Sequence, residues 1–408
     1  MVAHPGPRVY PVGEVEVLAV IPKRSTGPLA GLRIVELGGI GPAPYCGMLL
    51  ADQGADVIRL DPPQLTGRRT PFPVLHRNKR SVTVDMKTAA GVDLVRRMAV
   101  DADAVIEGFR PGVAERLGVG PTALCAANSA LVYGRMTGWG QDGPFAQVPG
   151  HDVNYLALSG VLHNTGTAGG PPIIPLNLVG DMGGGGMMLA YGLTAALLSA
   201  RATGVGQVVD AAMVDGAVSQ LAGIFGELSF GRWVDGRDTA NFVAGNAPWY
   251  GVYRCADDGY VAVGCQEPQF YSALLAGLGL ANEPLLADQM NHAAWPAMTA
   301  RIAEVFAARC RDEWMTVFDG AETCISPVLS IAEAAAHPHN MERGTFVRAS
   351  DGMLQPAPVP RFLGTPAAEP AGAVRLGAHT REVLSELGLS ETEVDELTEQ
   401  HVIRCVAG

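Results

Sequence analysis

Charge is scarce in this sequence. Only 17% of its 408 residues are Asp, Glu, Lys or Arg, against 48% hydrophobic residues. The net charge of −12 argues against a general nucleic-acid binder, whose footprint is basic. Seven cysteines, at 46, 125, 255, 265, 310, 324 and 405, include no CxxC pair, so neither a cysteine metal site nor a redox pair is indicated. Their odd number and scatter fit a reducing compartment, and a cytoplasmic location is expected. No run of 18 apolar residues occurs, so no membrane-crossing helix is expected. Residues 1–26 lack a basic stretch followed by an apolar one and do not read as a signal peptide. They read as an extension with one short strand at Val15–Ile21.

Glycine and proline, by contrast, are plentiful at 51 and 29 residues. Many turns or close backbone approaches are expected. An apolar, glycine-rich chain with so few charges also points to extensive subunit contact.

From Gly31 onward strands and helices alternate. "LRIVEL" (32–37), "DVIRLD" (56–61), "SVTVDM" (81–86), "DAVIEGF" (103–109), "ALVYGRMTGWG" (130–140) and "GQVVDAAM" (206–213) read as strands or strand-and-loop. Helices are expected up to Gly54, around 89–100 and through much of 211–228. Such βαβ alternation implies a parallel sheet in an α/β domain. Near Gly245 the texture changes. "WYGVYRCADDGYVAVGC" (249–265) reads as a hairpin about Asp258-Gly259, followed by helices to about 320. The expected layout is a large α/β domain over 27–225, a smaller α+β domain over 245–335, and a return through an extended 345–367. Residues 379–403 are helical in pattern, with Ser390 and Glu393 spaced as a capping box.

Two phosphate motifs fail. Gly39 and Gly41 follow a strand, with Asp61 about twenty residues on, but Pro44 stands where a dinucleotide fingerprint needs its third glycine. No GxxxxGK[ST] occurs. A basic set is more informative: "HRNKR" (76–80), Lys87, Arg110 and Arg116. It is either a solvated face or, in a chain so poor in charge, a polyanion site suited to guanidinium forks. His151 and Asp152 sit side by side at a loop-to-helix junction, as caps, bases or nucleophile. Asp181, in "GDMGGGGM", is either a helix N-cap or a carboxylate on a backbone that approaches a ligand closely. Glu267 in "VGCQEPQF" is by default a helix-start carboxylate. Met182, Met187 and Met188 are helix core or an adaptable acyl surface.

Together "GPLAGLRIVELGGIGPAPYCGMLLADQGADVIRLD", "RNKRSVTVDMK", "VIEGFRPGVAERLGVGP", "YGRMTGWGQDGP", "GHDVNYLALSGVLHNTG", "PLNLVGDMGGGGM", "GQVVDAAMVDG" and "YVAVGCQEPQFY" resemble the family III CoA-transferase superfamily. Within it they are most similar to the racemases of α-methylacyl-CoA thioesters. The resemblance spans about Gly27 to residue 365. It implies a Rossmann-like large domain built from both chain ends, a smaller domain inserted late, and an interlocked homodimer with each active site between subunits. It also implies an acyl-CoA substrate with no separate cofactor and no metal. By the same resemblance His151 and Asp181 are the two bases, Glu267 supports the histidine, and Arg77, Lys87, Arg110 and Arg116 bind CoA, with Gly150 and Tyr155 beside them. One departure is visible: these racemases carry an arginine after the stretch matching Arg59-Leu60-Asp61, where this chain has Pro62, so Arg68 or Arg69 is expected to take its place.

The chemistry asked of these residues is definite. Inverting a carbon beside a thioester takes one proton from one face and returns one to the other, so two groups must flank it. Imidazole, with an ordinary pKa of about 6.5, can serve either way. A carboxylate near 4 is a poor base for a carbon acid, so Asp181 is expected in a pocket that raises it. The enolate oxygen needs a fixed donor, and the backbone N–H of Asp152 at a helix start is the candidate. Two other readings stay open. One is a CoA-transferase in which Asp152 attacks the thioester to form a mixed anhydride; the other is a CoA-ester binder without catalysis.

Overall fold

The structure, a computed structural model, describes residues 26–238 and 241–406. The expected strand at Val15–Ile21 lies outside the described residues. Six strands form one sheet: β1 (Arg33–Glu36), β2 (Asp56–Asp61), β3 (Arg80–Thr83), β4 (Ala104–Glu107), β5 (Val132–Thr137) and β6 (Val208–Ala212). Every pairing is parallel. Parallel strands need helical crossovers that cover both faces, so β1 to β5 are buried and β-branched, while β6 at the edge is partly exposed.

The strand order is β3-β2-β1-β4-β5-β6. This is the Rossmann order, and it reverses between β1 and β4, where the crevice at the carboxyl ends of the strands takes ligands. One face packs the helix Ala89–Val100 together with two helices from the chain's far end, Thr380–Glu386 and Glu391–Glu399, through Leu94, Met98, Val383, Leu384 and Val394. Thr83 N–H donates to the Thr380 hydroxyl across 297 residues of sequence. The expected capping box is formed: the Ser390 N–H donates to Glu393 at 2.7 Å and the Glu393 N–H to Ser390 Oγ at 3.3 Å. The other face packs the helices Pro42–Asp52 and Met188–Thr203 through Cys46, Leu50, Leu189 and Leu193.

A second sheet is antiparallel: β7 (Tyr250–Arg254), β8 (Tyr260–Gly264) and β9 (Ile325–Val328), in that order. The hairpin turn at Asp258-Gly259 forms as read, with Asp258 at φ 62°. Its own core gathers Trp249, Trp295, Phe306 and Trp314. β9 was not anticipated, because Pro327 interrupts its pattern; at an edge position the missing N–H costs nothing. Within 345–367, expected to be simply extended, Phe346–Arg348 pairs with Leu354–Pro356. Among the described residues no helix is long and apolar enough to cross a membrane.

Candidate active site

A cavity of about 660 Å³ opens at the carboxyl ends of β1, β4 and β5, where the sheet reverses. Its walls come from the turn Ile40–Ala43 after β1, from Gly108–Pro111 after β4 and from Met136–Trp139 at the end of β5. Phe72, Val148 and Met213 add apolar surface, and the polar groups include Arg110, Thr137, His151, Asn154, Tyr155, Asn177 and Asp181.

His151 is the N-cap of the helix Asp152–Ser159. The Asn154 side chain accepts from its backbone N–H at 3.0 Å. The segment before it is held by Tyr155, whose hydroxyl donates to the Gly150 carbonyl at 2.6 Å. The Tyr155 ring meets Trp139 edge-on, 4.7 Å between centroids, and the Trp139 indole donates to the Val148 carbonyl. This packing requires Gly138: a Cβ there would stand 2.1 Å from the Tyr155 ring. Helix start, aromatic brace and missing side chain thus fix where the imidazole begins. The Asp152 amide is the first of that helix, where no intrahelical carbonyl is available to it.

Asp181 belongs to a ten-residue π-helical segment, Leu178–Met187, that runs into the helix Met188–Thr203. It is not the N-cap, a position Asn177 holds. π-segments widen the turn and recur at functional sites. The glycines that follow let this segment touch its neighbours: Gly185 lies against Pro42 and Met213, and Gly184 against Ala217. Burial raises the Asp181 carboxyl above the usual range; the Asn177 amide at 3.3 Å and the charge of His151 pull it down, and Asp152 pushes it up. Burial likewise raises the Tyr155 phenol, with Asp181 adding to it and Arg110 opposing.

The expected site residues do not all gather here. His151, Asp181, Arg110, Gly150 and Tyr155 line one cavity. Lys87 and Arg116 are exposed and lie off its wall. Glu267 is the N-cap of the helix Pro268–Gly277 and is likewise off the wall. Asp152 is buried, its Oδ1 accepting from the Asp181 N–H at 2.7 Å. Of the three methionines, Met182 lines the cavity, whereas Met187 and Met188 are exposed.

Arg77 is corrected outright. Its side chain is 1% exposed and forks onto Asp52 at 2.6 and 3.0 Å, with further bonds to Gln355 and the Pro356 carbonyl. Two further cations of "HRNKR" follow suit: Lys79 is paired with Glu36 at 2.6 Å, and Arg80 with Asp56, Glu382 and Glu386. The run is neither a solvated face nor a phosphate cradle. Buried cations need partners, and these have them inside the fold. Sequence reasoning gave no role to Asn154, Asn177 and Trp139, although all three lie within the quoted motifs; they matter through what they touch.

The family model for CoA-transferase family III matches residues 29–380. The chain is 43% identical over 376 residues to mouse alpha-methylacyl-CoA racemase, covering 92% of this chain and 97% of that one. It is 30% identical to succinyl-CoA–D-citramalate CoA-transferase of Chloroflexus aurantiacus, covering 93% and 99%. Among solved structures it is similar to a CAIB/BAIF family protein from Brucella suis, with TM-score 0.78 and 27% identity over 89% of this chain and 100% of that one. The chain belongs to CoA-transferase family III.

Proposed function

We propose that the chain interconverts the (R) and (S) forms of 2-methylacyl-CoA thioesters. One of His151 and Asp181 takes the α-proton, leaving an enolate; the other returns a proton to the opposite face, and no net charge is gained or lost. The amide of Asp152 holds the enolate oxygen, and loss of such a donor typically raises a barrier by ~3 kcal/mol. The observation that carries this reading is that an imidazole and a carboxyl group of raised pKa, from elements remote in sequence, face one cavity. The CoA phosphates fall to Arg110 at the cavity and to exposed Lys87 and Arg116, and CoA arrives as part of the substrate. Acyl transfer through Asp152 needs its carboxylate against the thioester carbonyl, but that carboxylate is turned into the protein, onto the Asp181 amide.

We further propose a large domain over 27–225 closed by 340–408, a smaller one over 245–335, and a cytoplasmic interlocked homodimer. Tyr191 and Leu198 on one helix, and Phe225 and Phe230 at the helix Ala222–Ser229, are more than half exposed, apolar surface that a second copy would cover. In that dimer Glu267 of one protomer supports His151 of the other, which accounts for its place off the cavity wall of its own chain.

The test is deuterium wash-in from D2O into branched fatty, sterol-side-chain and arylpropionyl CoA thioesters, with no acceptor acid present. Label enters the α-position, and His151→Ala removes most of it while leaving the fold intact. No label without an acceptor, together with passage of CoA to an added acceptor acid, favours transfer, and CoA-ester binding with neither exchange nor transfer under any condition favours a binder.

A further inference from the structure

The Asp152 carboxylate meets the backbone of Asp181, and of the two residues only Asp181 lines the cavity. Asp152 Oδ1 accepts from the Asp181 N–H at 2.7 Å. Among the described residues its Oδ2 is buried without a hydrogen-bond partner. The residue between the two is built for the contact: a Cβ on Gly180 would stand 2.3 Å from Asp152 Oδ1. An unsatisfied buried carboxylate oxygen is costly, and each such group calls for a physical reason.

We infer that Asp152 acts through Asp181: its buried carboxylate fixes the Asp181 backbone and sets a second negative charge behind the Asp181 carboxyl. The Asp152 side chain is then a positioning group, distinct from the backbone amide assigned to the enolate oxygen, and for its effect on rate this inference rests on the racemase reading. The groups acting on Asp181 are Asn177 from its own segment and Asp152 and His151 from the neighbouring helix. Tyr155 and Arg110 stand on the same cavity wall, while the helices beginning at Pro42 and Met213 present those two apolar side chains to it. Of these, Asp152 is the charge that opposes ionisation of Asp181, in the same direction as burial. Like charges in proximity disfavour each other's ionised form. A carboxyl so raised gives up its proton less readily and accepts one from carbon more readily, as this reaction requires.

Asp152→Asn keeps an oxygen acceptor for the Asp181 amide and removes the charge. Two readouts apply: the carboxyl 13C titration of Asp181 in the protein alone, with its signal assigned by Asp181→Asn, and the acid limb of kcat/KM for deuterium exchange. Both are expected to move to lower pH by about one unit, with KM for the thioester unchanged. Asp152→Ser serves as the second variant should the first fold poorly. If the Asp181 midpoint stays put in whichever variant folds, the inference is overturned. If the midpoint moves but the unmodified protein exchanges no α-hydrogen, the racemase reading fails and the coupling of the two carboxyls stands.

Discussion

Tyr155→Phe removes one oxygen and leaves the ring, so it isolates the bond that ties the His151 segment down. The hydroxyl lies 2.6 Å from the Gly150 carbonyl, and Tyr155 is 6% exposed, so water cannot readily replace it. Losing such a bond and stranding the carbonyl costs about 1–2 kcal/mol. The edge-on contact with Trp139 at 4.7 Å and the space left by Gly138 persist. Should the whole amount fall on the placement of His151, kcat for α-deuterium exchange drops about 5- to 30-fold, at tenfold per 1.4 kcal/mol. KM should hardly change, because the bond is internal to the protein. The same loss should lower Tm by about 2 °C or less, given the length of the chain. Exchange kinetics and a thermal melt on the same preparation test both. A lowered Tm with unchanged kcat would show that the brace serves the fold and does not aim the imidazole.

Arg77→Ala leaves the Asp52 carboxylate buried and unpaired, so it should cost about 3–5 kcal/mol by denaturant titration with little change in KM; a raised KM at unchanged stability would return Arg77 to the phosphates. Arg110→Ala and Lys87→Ala should raise KM for CoA thioesters more than they lower kcat, and an unchanged KM in both would remove them from CoA binding. Co-expression of His151→Ala with Glu267→Ala should restore one working site per mixed dimer if Glu267 serves the opposite protomer. A mixed dimer as inactive as its parents would place Glu267 within its own chain's site.

Much of this was legible from residue order. Short β-branched runs separated by helical patterns specified the parallel sheet, because strands covered on both faces are mostly apolar. The motifs around His151 and Asp181 pointed to residues that line the cavity, whereas the glycine-rich turn after β1, set aside as a broken dinucleotide motif, forms another of its walls. The basic run at 76–80 was misread because its partners are remote: Glu36 is 43 residues from Lys79, and Asp52 is 25 from Arg77. A charge pattern cannot reveal that it is neutralised by carboxylates on adjacent elements. The π-segment escaped for another reason. Glycines weaken every periodicity, and the widened turn at 178–187 is set by close packing against Pro42 and Met213, which are contacts of the folded state. The inward turn of the Asp152 side chain was invisible for the same cause, since it depends on the absence of a side chain at Gly180.

The docking of Thr380–Glu386 and Glu391–Glu399 onto the first sheet has a consequence for biosynthesis. Thr83 waits for a hydroxyl 297 residues downstream, and Leu94 and Met98 wait for Val383 and Leu384. At ~5–20 residues per second a ribosome takes roughly 15–60 seconds to supply them. Throughout that interval the nascent amino-terminal half holds an uncovered apolar face, which makes it a natural client for a chaperone until translation ends.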